Sequence, residues 1–438
     1  MTRIKDSFFG GLDAILGPIL MLLVTPIFIS ALGLKGYAIW VLVNSITAFL
    51  AIFNFGSSEV VTKFVSSNLF NGTAKKIKET FSTVFFIQTI VLFLIYLLFL
   101  IGNELIFPLI SSENSEIVVE VLFIAIPIFF IKQSEELLYA FLKGYEQFGQ
   151  VLIMSSISKI LFFSAQVYIA LKTRSIADVF YAALAVSTVI FFLQSFYLKK
   201  IHSNSFSYFS ISLARGKEIF SFFGWSGLSG IVYLVRSQSD KWLVSLFLGL
   251  ETFGLYSLGV MIFNQIHRFL GSTVYWVFPE VSKNSSNKKL LISRYWTLII
   301  FISITSLLIS LFLGNAGFLF EAWLGNETYR QSLNFINIFL IILPVYTLNI
   351  VSELYLLGLG LVKKRFFIDL LTLIIKVLTI WVSLQLLELE DWIQYLLIYI
   401  VIEYIYFAKI ISDNLNIGFH KILSFIVIQL LIVFIRLH

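Results

Sequence analysis

Cysteine and charge are both scarce in this 438-residue chain. It contains no cysteine, and only 13% of its residues are Asp, Glu, Lys or Arg. The absence of cysteine excludes disulfides, iron–sulfur clusters and thiolate zinc sites. Soluble domains are about 25% charged, so this chain has too little charge to cover a water-facing surface. With 59% hydrophobic residues and a mean hydropathy of +0.94, the composition predicts a polytopic membrane protein.

Motifs for nucleotide or metal chemistry are also missing. No GxxxxGK[ST] phosphate loop occurs, which predicts transport that is not driven by ATP. The four histidines fall in no metal-ligand spacing: His202, His267, His420 and His438. We therefore expect no metal and no cofactor. The net charge of +6 comes from basic residues in short loops, which indicates membrane topology rather than a nucleic-acid partner.

Long apolar runs predict twelve transmembrane helices, because about 20 apolar residues cross a bilayer. The runs lie near 10–31, 37–56, 81–101, 117–138, 150–171 and 177–198, and near 219–241, 252–276, 292–313, 332–358, 366–387 and 392–411. A shorter apolar tail follows at 421–436. It either adds a thirteenth span or lies on the cytoplasmic interface, and the sequence leaves both interpretations open.

Basic residues are distributed unequally between the predicted loops. If the N-terminus is cytoplasmic, the outside segments carry only Lys35, Lys172, Arg174 and Arg330. Most of the other Lys and Arg residues, Lys132 among them, are then counted with the cytoplasmic segments. Cytoplasmic loops of membrane proteins are rich in Lys and Arg, so we expect a multi-pass protein with its N-terminus inside.

Short stretches recur in the same order in the two sets of six predicted helices. They are SALGLKGYAIW (30–40) with LFLGLETFGLY (246–256), SEVVTK (58–63) with PEVSK (279–283), and EELLYAFLKG (135–144) with SELYLLGLG (352–360). Parallel repeats of this kind are typical of transporters that alternate access between two lobes. We therefore predict an all-α integral membrane fold with two pseudo-symmetric six-helix lobes, 1–205 and 206–412, around a central lumen, and a tail, 413–438.

Ionisable residues within the predicted spans are candidates for function, since each costs about 2.5–3.5 kcal/mol to insert and normally faces a cavity or a partner. They are Asp13, Lys159, Arg236, Asp240, Lys241, Arg268, Glu353, Asp369, Lys376 and Glu403. Asp13, Lys241, Glu353 and Asp369 lie near span ends, where a side chain can reach the interface. For these four, snorkelling is the simpler interpretation.

The deeper residues carry a surplus of positive charge. Lys159, Arg268, Lys376 and Glu403 lie well inside their spans, and cations outnumber acids among the deep residues. A cationic lumen suits an anionic substrate, most simply one that bears phosphate. The candidate substrate-binding residues are Lys159, Arg236, Arg268 and Lys376.

Ion pairing is the competing interpretation of the same residues. Arg236 and Asp240 are spaced i,i+4 on one helical face and can pair, and Lys376 can form a structural pair with Glu403. Membrane carboxylates can also carry protons or Na⁺. The candidates for ion coupling are Glu403, Glu353 and Asp240.

Three stretches carry a resemblance to a known family: 10–67, 139–161 and 236–262. The third is the most specific. It matches the pattern D-[RK]-x-L-[IV]-x-x-x-L-G-x-x-x-x-G-x-Y through Asp240, Lys241, Leu243, Val244, Leu248, Gly249, Gly254 and Tyr256. In these stretches the chain resembles the polysaccharide-lipid flippases of the multidrug/oligosaccharidyl-lipid/polysaccharide exporter (MOP) superfamily, particularly the Wzx-type O-antigen flippases. It departs from them in helices 1 and 2, which offer no Arg or Lys to a lumen.

The resemblance implies a transporter rather than an enzyme. Its two lobes would rock about the lumen and move undecaprenyl-pyrophosphate-linked oligosaccharide across the bacterial inner membrane for O-antigen and lipopolysaccharide biosynthesis. Partners would be membrane lipid and the polysaccharide polymerase and chain-length machinery. A lipid II flippase and a multidrug exporter of the same superfamily are the alternatives. A polytopic glycosyltransferase or polymerase is disfavoured because no large outside loop is predicted.

Overall fold

The structure, a computed structural model, describes residues 2–51, 57–70, 74–110, 115–212, 224–285, 287–386 and 395–437. All regular secondary structure in these ranges is helical. The helices are α1 (Thr2–Leu50), α2 (Ser57–Phe70), α3 (Ala74–Ile110), α4 (Ser115–Gly144), α5 (Phe148–Thr173), α6 (Ile176–Ile201), α7 (Gly224–Val274), α8 (Val277–Lys283), α9 (Lys288–Asn315), α10 (Gly317–Leu324), α11 (Asn326–Gly358), α12 (Val362–Leu386), α13 (Leu396–Leu415) and α14 (Phe419–Leu437). The predicted all-α integral membrane fold is confirmed.

The first helix, α1, is a hairpin of two arms, residues 2–32 and 34–50. Gly33 between them has φ 73° and ψ 170°, a conformation that is essentially restricted to glycine. The rings of Phe28 and Trp40 lie 5.1 Å apart between centroids. In a continuous helix a separation of twelve residues would place them about 18 Å apart, so the chain reverses its direction at Gly33.

The longest helix, α7, is a second hairpin with the same kind of turn. Gly249 has φ 78° and ψ 173° and separates the arms 224–248 and 250–274. The hydroxyl of Tyr256 donates to Asp240 Oδ2 at 2.6 Å, whereas sixteen residues of continuous helix would span about 24 Å. The two LGL turns found in the sequence are therefore the reversal points of two equivalent hairpins.

The number of membrane-crossing segments follows from these hairpins. Within the described ranges, nine helices are long and apolar enough to cross a membrane, and two of them contain the hairpins of α1 and α7. Counting each arm separately and adding α13, where the span 392–411 was predicted, is compatible with twelve spans. The open thirteenth span falls on α14, which packs on α13: Tyr404 Oη donates to the carbonyl of Ile422 at 3.1 Å.

By its contacts the chain divides into two compact units, Met1–Gly227 and Leu228–His438. In the first unit the loop after α6 packs on the helices before it: the ring of Phe206 lies 4.7 Å from that of Phe81, and Tyr145 Oη donates to Ser205 Oγ at 2.6 Å. The lobe boundary at 205/206 stays a prediction.

Each unit also repeats one close helix crossing. A Cβ added to Gly144 at the end of α4 would lie 2.6 Å from Cβ of Val65 on α2. A Cβ added to Gly358 at the end of α11 would lie 2.7 Å from Cβ of Val281 on α8. Only glycine permits this approach, and both crossings join stretches that recur in the sequence.

Candidate functional site

The second unit contains a buried group of charged and polar residues from four helices, which we term the charge cluster. It consists of Arg236 and Asp240 on α7, Asn349 and Glu353 on α11, Arg365, Asp369, Thr372 and Lys376 on α12, and Glu403 on α13. The α12 members are spaced four, three and four residues apart, so they share one helical face. An apolar helix with such a face buries it against polar partners on its neighbours.

Arg236 lies at the centre of the charge cluster. Its Nη1 donates to Glu403 Oε1 and to Thr372 Oγ1, the latter at 3.3 Å. The same atom lies 3.4 Å from Asp369 Oδ1, and Nη2 lies 3.7 Å from Glu353 Oε1. One guanidinium therefore contacts three carboxylates, each of which comes from a different helix.

A second ion pair lies one helical turn away. Lys376 Nζ donates to Asp240 Oδ1 at 2.6 Å and to the carbonyl oxygen of Arg236 at 2.6 Å. Asp240 Oδ2 accepts from Tyr256 Oη at 2.6 Å. Asp240 and Lys376 are both buried, so this pair and its hydrogen bonds are shielded from solvent.

The partners differ from both pairs that the sequence suggested. Arg236 was expected to pair with Asp240, and Lys376 with Glu403; instead Arg236 pairs with Glu403, and Lys376 with Asp240. The i,i+4 spacing places Arg236 and Asp240 on one face, but that face packs on α12 and α13, which supply other partners. The prediction that the side chain of Asp369 reaches the membrane interface was also wrong, because the exposed fraction of this residue is 0%.

Three carboxylates of the charge cluster could hold a metal ion among the described residues. One oxygen each of Glu353, Asp369 and Glu403 lies within 4.8 Å of the others. The guanidinium of Arg236 contacts all three, and a cation could not share this space without a change in the position of Arg236. The guanidinium of Arg236 therefore occupies the position that an inorganic cation would take among these carboxylates.

The charge cluster contains four carboxylates and three cations, and Lys241, next to Asp240 on α7, adds a further positive charge beside it. Both oxygens of Asp369 are buried without a hydrogen bond among the described residues. Arg365 Nε approaches Asp369 Oδ2 to 3.5 Å, which is an electrostatic contact only. Asp369 is therefore held by charge interactions rather than by hydrogen bonds.

The first unit contains a cavity of about 410 Å³ between α1, α4, α5 and α6. Lys159 on α5 lies in its wall, as does Lys132 on α4. Lys132 Nζ donates to Glu135 Oε2 at 3.1 Å and to Ser158 Oγ at 3.0 Å, and it lies 4.7 Å from the ring centroid of Phe162. Lys132, which was counted with the cytoplasmic segments, lies within α4, because this helix continues to Gly144.

Of the four predicted substrate-binding cations, one lies in the first unit and three lie in the second. Lys159 lines the cavity of the first unit, and Arg236 and Lys376 lie in the charge cluster. Arg268 is exposed near the C-terminal end of α7. The side chain of Asp13 lies outside the described residues. Of the predicted ion-coupling carboxylates, Glu403, Glu353 and Asp240 all belong to the charge cluster.

Reasoning from the sequence missed several members of these two sites. In the first unit it missed Lys132 and Glu135, and in the second Arg365 and Thr372. The signal available was the run KQSEE (132–136) within an otherwise apolar segment. Placing the end of helix 4 at 138 made that run look like a helix terminus, whereas it lies several turns within α4.

Comparisons with known proteins extend over most of the chain. Residues 4–285 match the family described as "Polysaccharide biosynthesis protein". A curated protein of Shigella flexneri named "Putative O-antigen transporter" is 23% identical over 322 residues, which cover 71% of this chain and 74% of that protein.

Two solved structures are similar in fold over nearly the whole chain. The inward-facing conformation of a multidrug resistance MATE family transporter of the MOP superfamily matches with a TM-score of 0.70 and 13% identity, and the match covers 92% of this chain and 96% of that one. The lipid II flippase MurJ in its inward closed conformation matches with a TM-score of 0.67 and 14% identity, covering 99% and 98%. At these identities the likeness establishes a shared fold.

Proposed function

Because the chain belongs to the polysaccharide biosynthesis protein family and has the fold of the MOP-superfamily transporters, we propose that it is a flippase for a lipid-linked oligosaccharide. The substrate is an undecaprenyl-pyrophosphate-linked repeat unit of a surface polysaccharide. The flippase moves it from the cytoplasmic to the outer leaflet of the bacterial inner membrane. The observation that carries this proposal is the family match, which includes all but the first three residues of the first unit.

The route that we propose is alternating access of two lobes, divided near 205/206, about a central lumen. The two equivalent hairpins at Gly33 and Gly249 support it, since duplicated halves are what such transport uses. Arg268 is the cation that we propose for contact with the pyrophosphate, whereas Lys159 lines the cavity of the first unit. Arg236 and Lys376 act through the charge cluster, because each is already paired with a buried carboxylate.

We propose that proton uptake by the charge cluster drives the cycle, in the absence of an ATP-binding motif. The candidate proton acceptors are Glu403, Glu353, Asp240 and Asp369, and Asp369 is buried without a hydrogen bond among the described residues. Protonation of a carboxylate that contacts Arg236 removes one of the charge interactions that hold its guanidinium in place. Such interactions are strong in a medium of low dielectric constant. The contacts between α7 and α13 then change with protonation.

The proposed location is a bacterial inner membrane with the N-terminus in the cytoplasm. The basic loops support this orientation. The polysaccharide polymerase and its chain-length machinery would receive the product on the outer side. Alkaline phosphatase fused after Arg174, in the loop between α5 and α6, should be active, and a fusion after Lys200 should be inactive; the reverse pattern would overturn the orientation.

The flippase proposal is tested in proteoliposomes. The purified full-length chain is reconstituted with undecaprenyl-pyrophosphate-linked oligosaccharide, and an impermeant enzyme that cleaves the sugar reports how much reaches the outer leaflet. We expect protein-dependent transfer of this lipid. Transfer of lipid II but not of the oligosaccharide lipid would favour a peptidoglycan-precursor flippase, and efflux of an organic cation alone would favour a multidrug exporter.

Coupling is tested with a matched pair of variants in the same assay. Glu403→Gln keeps the size of a buried carboxylate and removes its charge, whereas Glu251→Gln makes the same change at an exposed position beside the α7 turn. We expect an imposed proton gradient to accelerate the wild type and Glu251→Gln but not Glu403→Gln. An equal response in all three proteins would exclude coupling through Glu403.

A further inference from the structure

The cavity of the first unit has the size and enclosure of a binding site for a small polar molecule. Its volume of about 410 Å³ falls within the range of about 300–1,000 Å³ found for ligand pockets. Helices α1, α4, α5 and α6 supply its wall, and all of these helices belong to the first unit.

The ionisable residues of this wall are balanced in charge. Lys132 and Lys159 are matched by Glu135 and Glu136. A pyrophosphate site needs a surplus of cations, and a site for an organic cation needs a surplus of carboxylates. A wall with equal numbers of both suits a neutral molecule that offers donors and acceptors together.

One polar group of the wall is left without a partner. Gln166 on α5 is 2% exposed, and its Oε1 accepts from Trp40 Nε1 at 2.9 Å. Its Nε2 has no hydrogen-bond partner among the described residues. An unpaired buried donor is energetically costly. Because Gln166 lines the cavity, a ligand with a hydrogen-bond acceptor could satisfy this donor.

Aromatic rings make up much of the remaining wall. They are Trp40, Phe129, Tyr139, Phe162, Phe163 and Phe180. Trp40 is fixed in place by Phe28, whose ring crosses it at 89° with centroids 5.1 Å apart. Fixed aromatic faces beside hydrogen-bonding groups suit a molecule that is polar at its rim and apolar on its face. A pyranose ring has this character.

We propose that the cavity binds an uncharged sugar residue of the transported oligosaccharide. A ring hydroxyl accepts from Gln166 Nε2, and the apolar face of the sugar lies against the ring of Phe162. This assignment rests on the flippase function proposed above. It separates recognition of the sugar, in the first unit, from the charge cluster in the second.

The chain contains a matched control for Gln166. Gln88 on α3 is also buried, its Oε1 accepts from Ser57 Oγ at 3.0 Å, and its Nε2 also lacks a partner among the described residues. Gln88 is not part of the cavity wall. Gln166→Met and Gln88→Met therefore make the same chemical change, and only the first reaches the cavity.

Binding is measured on the full-length protein in nanodiscs, by saturation-transfer NMR. The probes are the oligosaccharide released by mild acid from the lipid-linked intermediate of the producing strain, inorganic pyrophosphate, and tetraphenylphosphonium. We expect the free oligosaccharide to bind the wild type and Gln88→Met alike, and Gln166→Met about tenfold more weakly, as for the loss of one hydrogen bond of about 1.4 kcal/mol.

A second pair of variants tests the same cavity independently, so that the experiment remains decisive if Gln166→Met does not fold. Phe162→Leu removes a ring from the cavity, and Phe192→Leu removes an exposed ring from α6; only the first should weaken sugar binding. Equal binding by all variants, or binding of pyrophosphate or tetraphenylphosphonium in place of the sugar, would overturn the assignment. If the lipid-linked oligosaccharide is still transported in that case, the flippase function stands and the sugar site alone is wrong.

Discussion

Lys376 on α12 joins two consecutive turns of α7, since its Nζ donates to the carbonyl of Arg236 and to the carboxylate of Asp240, each at 2.6 Å. The ammonium group thus neutralises one side chain and satisfies one backbone acceptor of the same helix. This contact fixes the position of α12 along α7. It also gives a lysine deep in an apolar helix two buried partners.

Loss of this lysine should leave a buried charge without a partner. We expect Lys376→Met to lower the stability of the protein by about 3–5 kcal/mol, the usual cost of breaking a buried pair from one side. The double variant Lys376→Met/Asp240→Asn should recover much of the loss. Thermal unfolding in detergent, followed by intrinsic fluorescence, measures the cycle; if Lys376→Met is as stable as the wild type, the pair has no structural role.

Removal of Arg236 should convert the three carboxylates around it into a site for inorganic cations. In Arg236→Gln we expect lower thermal stability in choline buffer and recovery on addition of Na⁺ or Ca²⁺, because an ion that binds only the folded state stabilises it.

The control for this change is Arg294→Gln, which breaks the partly exposed pair with Glu280 and should respond to these cations no more than the wild type does. A melting temperature of Arg236→Gln that is independent of the cation would contradict the site.

The turns of the two hairpins should tolerate no side chain. We expect Gly33→Ala and Gly249→Ala each to cost about 1–3 kcal/mol, since a Cβ strains a backbone with φ near +75° and ψ near 170°. Gly230→Ala and Gly271→Ala, which lie within the helical arms of α7 with open space around the added Cβ, should be neutral or slightly stabilising. Melting temperatures of the four variants test this; equal effects would show that the turns are not strained.

The loop after α6 should become less stable in mild acid. Burial lowers the pKa of His202, whose ring packs 4.3 Å from that of Tyr145 between centroids. The unfolded segment therefore takes up a proton at higher pH than the folded one, so stability is present above about pH 6.5 and falls as the pH drops through that value. The protection factors of residues 199–212, which compare each exchange rate with the intrinsic rate at the same pH, should be lower at about pH 5.5 than at about pH 7.5. In His202→Gln this difference should vanish.

The fold was largely predictable, because hydrophobic length and repeated turns are local signals. The stretches SALGLKGYAIW and LFLGLETFGLY contain the reversal points Gly33 and Gly249, and the stretches that contain Gly144 and Gly358 form the close crossings. The α10 helix between α9 and α11 was not predicted, since its eight residues are too few to give a periodic signal.

The candidate sites were less predictable, because the pairing of charges depends on how helices rotate about their axes. Distance from a span end identified Glu403 as deep, yet it misjudged Asp369, which is buried on the shared face of α12. Arg236 and Lys376 were identified as intramembrane cations, and their partners came from helices more than a hundred residues away. Sequence spacing describes one helix at a time and cannot choose between such partners.

The single-residue turns at Gly33 and Gly249 also bear on how the chain enters the bilayer during synthesis. With no loop between the arms, the only ionisable residues near each turn are Lys35 and Glu251. Moving one charged residue across the hydrocarbon costs a few kcal/mol, whereas each hairpin buries two apolar arms at once. The translocation machinery can therefore release each hairpin as a pair of helices that are already packed, which avoids leaving the first arm alone in lipid.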